Sequence, residues 1–431
     1  MRVDGDAQPA GLADQPADPL TGGEVEELRH LFPELSRSVR GGVRLIYLDS
    51  AATAQRVKTG LDAQHDFATS HNAAVHRATH AIAEEATLLY EAARAQTAAF
   101  FGVRDNEIIF TAGTTAAINL LAWSLNASSR VGQGDRIVVT QAEHHSNLVP
   151  WQRLAAMTGA ELAYLPVGPD GRIDISGLDQ IVTERTKVVA FGHASNVTGA
   201  VADVAPITAA AQAVGAFTVL DAAQTAPHQP VDLAALGVDF AAVSSHKMYG
   251  PMAIGALYGR YELLEALTPG AFGGSMVEIV TMREATFMPP PARFESGTPP
   301  VSAAIGWAAA LKWLQSVGLD RIAARETELT RWLLDGLSLI DGIRVLGPTE
   351  TSARIGVVSF EIAGVHPHDA GQYLDGEGVA VRVGHHCAQP LHRALGVTAS
   401  TRASLGVYTT TEELDRCLEV LAQVRPYFGV A

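Results

Sequence analysis

The chain has 431 residues, 47% of them apolar, enough for one large domain with a sizeable core and a smaller one beside it. Lys and Arg number 31 against 46 Asp and Glu, a net charge of −15, so a surface that tracks nucleic-acid phosphates is not expected. Two cysteines, Cys387 and Cys417, are too few for a disulfide framework and are not spaced as a metal pair, which fits a reducing, cytoplasmic setting.

Residues 1–22, rich in Pro, Gly and Asp, read as a disordered tail without a charged-then-apolar leader. Residues 23–45 read as a segment packing with the small domain, 46–300 as the large domain and 301–431 as the small domain. No apolar run approaches the roughly 18 residues of a membrane span, so no membrane partner is expected. From about residue 105, β-branched runs alternate with helix-like segments. The runs are Glu107 to Thr111, Arg136 to Thr140, Leu162 to Pro166, Val188 to His193, Phe217 to Asp221 and Phe240 to Ser244. That alternation predicts βαβ units and a mostly parallel α/β sheet. A Gly-, Pro- and Met-dense stretch near 270–300 predicts a hairpin or loop leading out. Long helical segments (301–317, 320–339) and a strand at Gly356 to Glu361 then predict an α+β C-terminal domain.

The predicted strands end in polar clusters, and open α/β sheets bind ligands beyond the carboxyl ends of their strands. Gly113-Thr114-Thr115 opens a helix, whose free N–H groups and dipole suit a phosphate. Asp221, at the end of an apolar run, needs a cation such as a protonated pyridine nitrogen, and Gln224 could donate to a phenolate oxygen. Lys247 could bond a carbonyl carbon if burial lowers its pKa. His144 has a flat ring suited to stacking. Alone, each has a plainer reading: Asp221 as a helix cap, Lys247 as a solvated surface lysine, the Thr pair as an N-cap. Together, at successive strand ends, they describe a site for an anionic, aromatic, electrophilic cofactor, a pattern that matches pyridoxal phosphate.

Cys387 stands in Arg382-Val383-Gly384-His385-His386-Cys387-Ala388-Gln389-Pro390, where Arg and His favour a reactive thiolate. Cys417 lies among apolar positions at helical spacing and reads as core packing. Adjacent His385 and His386 cannot readily direct both rings to one ion, so no metal site is expected.

These residues carry a resemblance to the class V, fold-type I pyridoxal-phosphate enzymes, and within them to the group II (SUF-type) cysteine desulfurases. It runs from about Phe32 to Phe428. Its specific pieces are Tyr47-Leu48-Asp49-Ser50-Ala51-Ala52, Asn72 to Arg77, Glu143-His144-His145, Ser195-Asn196-Val197, Ser244 to Pro251, Arg293 to Pro299 and Arg382 to Cys387. The resemblance implies a large domain with a seven-stranded-type sheet and a small domain carrying the Cys387 loop. It implies Lys247 as the lysine that carries the cofactor, His144 as stacking and proton-transfer residue, and Asp221 and Gln224 as partners of the ring nitrogen and phenolate, with Asn196 near the latter. Thr114, Thr115, Ser244 and His246 become phosphate neighbours, and Thr298 reaches the phosphate of a second subunit in a homodimer. Arg402 is implied to pair with the substrate carboxylate, with Arg382, His76 and Asn196 as further substrate neighbours.

The activity so implied takes sulfur from L-cysteine onto Cys387 and leaves L-alanine, the sulfur passing to an acceptor for iron–sulfur cluster or other biosynthesis. His368 matches a position that engages a zinc-bearing U-type acceptor; its other reading is a His-Pro turn capping a helix with Asp369. Ala116, Val57, Ser245 and the pair Met252-Ala253 depart from the family pattern, the last three residues being expected close to the cofactor. A selenocysteine lyase would share nearly every residue named. A non-catalytic dimeric partner of a sulfur-transfer assembly is the non-enzyme alternative.

Overall fold

A computed structural model describes residues 17–430. Of the expected disordered tail, residues 1–16 lie outside the described residues. The ordered chain starts earlier than expected, because Leu20 is buried in the core and Thr21 and Glu24 form a reciprocal capping box at the helix Gly22–Arg29.

The large sheet has seven strands: β1 (Ile108–Thr111), β2 (Arg136–Thr140), β3 (Glu161–Leu165), β4 (Thr186–Gly192), β5 (Phe217–Asp221), β6 (Phe240–Ser244) and β7 (Gly255–Gly259). Their order is β1-β7-β6-β5-β4-β2-β3, and β7 alone runs antiparallel to its neighbours. Strands β6 and β7 are buried at every position because helices cover both faces, which is why β6 reads as a continuous apolar run. One face packs on Ala81–Phe100 and Val301–Val317, the other on Thr114–Ala127 and Val149–Thr158.

Strand β7 escaped the sequence reading because glycines bound it. A Cβ at Gly255 would fall 2.3 Å from the Val243 carbonyl, so the close approach of β6 requires glycine there. All the other strands of this sheet point the same way, so their carboxyl ends meet along one edge.

A second sheet holds β8 (Ile343–Leu346), β9 (Val357–Ile362), β10 (Arg382–Gly384) and β11 (Ser400–Ser404), in the antiparallel order β8-β9-β11-β10. Helices Leu319–Ser338 and Thr411–Tyr427 bury their apolar stripes against it. Residues around 46 join this unit: Ile46–Tyr47 pairs in parallel with Val379–Ala380, and Ile46 and Leu48 lie in its core. Helix Val301–Val317 packs instead on the large core through Trp307, Leu311 and Leu314. The Gly/Pro-rich stretch holds a hairpin, Val277–Val280 with Ala285–Phe287. Among the described residues no helix is long and apolar enough to cross a membrane.

Candidate active site

The carboxyl edge of the large sheet and the second sheet line a common cavity. Its walls bring together Thr114, Thr115, His144, Asn196, Asp221, Gln224, Ser244, His246, Lys247, Arg382 and Arg402. At one end Gly113, with φ of +135°, turns the chain from β1 into the helix Thr114–Ala127. Ser244 Oγ accepts from the Thr114 N–H at 2.8 Å and lies 2.8 Å from its hydroxyl, while the Thr115 and Ser146 hydroxyls pair at 2.6 Å. The first-turn N–H groups of the helix have no intrahelical carbonyl to meet. With these hydroxyls and His246 they offer the donors that an anion such as a phosphate needs.

Asp221 ends β5 in a buried position where its carboxyl accepts from the Ala223 N–H at 3.0 Å. Burial raises its pKa, and Lys247 opposes the rise. Gln224 donates through Nε2 to the Ala51 carbonyl at 3.0 Å, and its buried Oε1 has no partner. A buried carboxylate that faces the cavity without a hydrogen-bonded cation among the described residues fits a protonated ring nitrogen. Lys247 follows β6 in a short 3-10 turn, and burial, with Arg402 and Arg382 nearby, lowers its pKa to about 8. The residues present therefore fit pyridoxal phosphate: Asp221 would hold the ring nitrogen, Lys247 the aldehyde carbon, and the Thr115–Ser244 end the phosphate.

His144 Nδ1 accepts from the Ser146 N–H at 3.1 Å, which leaves any ring proton on Nε2. Burial first, then Lys247, lowers its pKa to about 3, so the ring stays neutral at working pH. Glu143, missed by the sequence reading except as a motif letter, locks this turn. Its carboxyl accepts from Thr140 Oγ1 (2.5 Å), Asn147 Nδ2 (2.6 Å) and the Gly192 N–H (3.0 Å).

Strand register supplies what spacing along the chain could not. Arg382 on β10 is the direct antiparallel partner of Arg402 on β11, which puts both guanidinium groups on one face. Side-by-side like charges are unfavourable unless an anion joins them. Arg402 donates to Asp49 Oδ1 and to the Asn196 carbonyl, each at 3.0 Å, and Arg382 makes no hydrogen bond or ion pair among the described residues. Asn196, expected near the phenolate, also donates Nδ2 to the His386 carbonyl at 2.5 Å.

Cys387 is half-buried beside this wall, with φ of +58° following +50° at His386. Two successive non-glycine residues in the left-handed region cost about 1–3 kcal/mol each. Tertiary hydrogen bonds hold them there: the His145 N–H to the Cys387 carbonyl (2.7 Å), and the Gln389 N–H to His145 Nε2 (3.2 Å). The thiol lies within electrostatic reach of Lys247 and Arg402.

Two expected cofactor or substrate neighbours, Thr298 and His76, are not in the cavity wall, and neither is Cys387, which stands beside it. Thr298 lines a separate cavity with Tyr90, Phe110 and Gly297. His76 is exposed and bound to Glu91 Oε1 at 2.8 Å, its ring edge-on to Tyr90. His368 is exposed in the first turn of Pro367–Gly376, where the cap is His366 Nδ1, accepting from the His368 N–H, rather than Asp369. The departures expected close to the cofactor lie elsewhere: Ser245 is buried under Gly250, Met252 is exposed, and Ala253 and Ala116 line the Thr298 cavity. The turn after Lys247 carries Met252 and Ala253 away from this cavity. Among the described residues no cluster of three His, Cys, Asp or Glu could hold a metal ion.

Fold and cavity define a fold-type I pyridoxal-phosphate enzyme. The aminotransferase class-V family model matches residues 46–417, and the chain belongs to that family, whose cofactor is pyridoxal phosphate. It is 50% identical to the probable cysteine desulfurase 2 of Mycobacterium leprae over 95% of this chain and 99% of that protein. It is 46% identical to a probable cysteine desulfurase of Streptomyces coelicolor over 94% and 98%. The solved cysteine desulfurase CsdA from Escherichia coli superposes with a TM-score of 0.86 at 37% identity, over 94% of this chain and 98% of that one.

Proposed function

We propose that the chain is a cysteine desulfurase that converts L-cysteine to L-alanine and leaves a persulfide on Cys387. The observation that carries this reading is a strained, tethered, half-buried thiol set against a wall bearing Lys247 and two arginines. The names of the relatives support it. Bound in the cavity, pyridoxal phosphate supplies an electron sink for the substrate Cα. Asp221 would hold the proton on the ring nitrogen, with Gln224 and Asn196 as the polar neighbours of its phenolate. Arg402 and Arg382 clamp the substrate carboxylate, a task suited to guanidinium forks. Lys247 Nζ, with its lowered pKa, takes the Cα proton and later returns one. Neutral His144 would lie against the ring, with its proton on Nε2 available to donate. Cys387 Sγ attacks the substrate sulfur.

Thr298, outside its own cavity wall, is assigned to the phosphate of a second subunit, which makes the working form a homodimer. Exposed His368 is assigned to contact with a sulfur acceptor, in a cytoplasmic iron–sulfur or other sulfur-transfer pathway of SUF type.

The test is alanine formation from L-cysteine, with reductant, by the cofactor-loaded protein and by Cys387→Ala. The variant is expected to lose activity by about 1,000-fold or more. Equal turnover by the variant would replace the desulfurase reading with a lyase that needs no protein persulfide.

A further inference from the structure

In the run Glu143-His144-His145 the first residue locks a turn and the second lines the cavity, while the third meets the cysteine loop. The turn His385–Ala388 is closed by the Ala388 N–H on the His385 carbonyl at 2.9 Å. Both of its central residues, His386 and Cys387, have positive φ, a shape that glycine and asparagine take more readily. Such strain persists only where contacts outside the turn hold it. Loops at the strand ends of the large sheet supply those contacts. Asn196 Nδ2 donates to the His386 carbonyl at 2.5 Å. His145 holds the chain on either side of Ala388: its N–H donates to the Cys387 carbonyl at 2.7 Å, and its ring Nε2 accepts from the Gln389 N–H at 3.2 Å.

Gln389 opens the helix Gln389–Ala394, in whose first turn the N–H groups have no intrahelical carbonyl to meet. That helix has no cap of its own, because Ala388 at the cap position has no side-chain acceptor. The imidazole of His145 fills the place from a distant segment of the chain. A backbone N–H only donates, so Nε2 is bare and the neutral ring carries its proton on Nδ1. Burial first, and then His385, lower the pKa of His145, which favours the neutral ring. The titratable groups around it are His144, on its own turn with ring centroids 6.4 Å apart, and His385 and Cys387 on the loop.

We propose that His145 is a positioning residue for Cys387: by capping the helix that follows the strained turn, its imidazole holds the thiol in place beside the cavity wall; this rests on the desulfurase reading. The ring forms no bond to sulfur and exchanges no proton with the substrate. It acts on the attack by Cys387 and not on capture of the substrate carboxylate, which falls to Arg402 and Arg382.

The test compares the unaltered protein with His145→Gln and His145→Leu. Glutamine carries an amide oxygen to about the reach of Nε2, whereas leucine fills similar space without an acceptor. Leucine is expected to lower kcat for alanine formation from L-cysteine by about 10-fold or more with KM within about twofold, and glutamine to restore most of the loss. Amide hydrogen exchange, which needs no turnover, should quicken by about 10-fold at residues 387–389 in the leucine variant and little in the glutamine variant. Equal loss in both variants, no loss in either, or a change confined to KM would reduce His145 to packing and overturn the proposal. Without any substitution, the nitrogen-15 spectrum at neutral pH should show His145 bare at Nε2 and protonated at Nδ1; the opposite tautomer overturns the cap. An unaltered protein that forms no alanine from L-cysteine sinks the desulfurase reading itself, a separate failure, and the exchange and nitrogen-15 measurements still decide whether His145 caps the loop.

Discussion

The two cysteines of this chain have the same side chain and opposite surroundings. Cys417 lies on the helix Thr411–Tyr427, fully buried among Leu414, Val420 and Leu421, and burial pushes its thiol up to about 12. Cys387 sits half-buried in a loop of left-handed backbone, tied to His145 through a main-chain hydrogen bond, near cationic side chains. The difference teaches that reactivity belongs to the site: dry packing stores a thiol as a small apolar group, whereas a tethered loop presents it.

The largest expected effect that sharpens this contrast is in alkylation. With its pKa near 12, Cys417 is ionised in only about one molecule in 10⁴ at pH 8, and it is sealed in the core. Iodoacetamide followed by intact mass should add one label, on Cys387, to the native protein and two in denaturant; native labelling of Cys417 would break the comparison. A smaller effect concerns the third nucleophile, Lys247. Because burial disfavours its charged form, the neutral amine should dominate above about pH 8 rather than above the ordinary 10.5. The rate at which stripped protein regains the absorbance of the lysine-bound cofactor should therefore rise with pH and level off beyond about 8. A rate still climbing tenfold per unit at pH 9.5 would place Lys247 in water. The smallest effect is on stability: Cys417→Ala removes one sulfur from a packed core and should cost about 1–2 kcal/mol in urea unfolding with activity kept. Cys387→Ala should leave stability within about 0.5 kcal/mol, because the half-buried thiol packs little.

Much of this was legible along the chain because β-strands deliver their last residues to one edge. Asp221, Lys247, His144, Thr115 and Ser244 each follow an apolar run directly, so local pattern located them, and parallel connectivity brought them together. The assignment of Cys417 to packing rested on helical spacing alone and agrees with its burial. Met252 and Ala253 misled for the converse reason: nearness to Lys247 in sequence says nothing of direction once the chain turns.

By itself, then, the sequence determined the alternating α/β architecture, the strand-end groups and the family, all of which depend on periodicity and short motifs. Only the tertiary structure decided that Arg382 and Arg402 share a face, that Asp49 grips one of them, and that Asn196 ties down the Cys387 loop. Register and hydrogen-bond direction are properties of paired segments, and no single segment carries them.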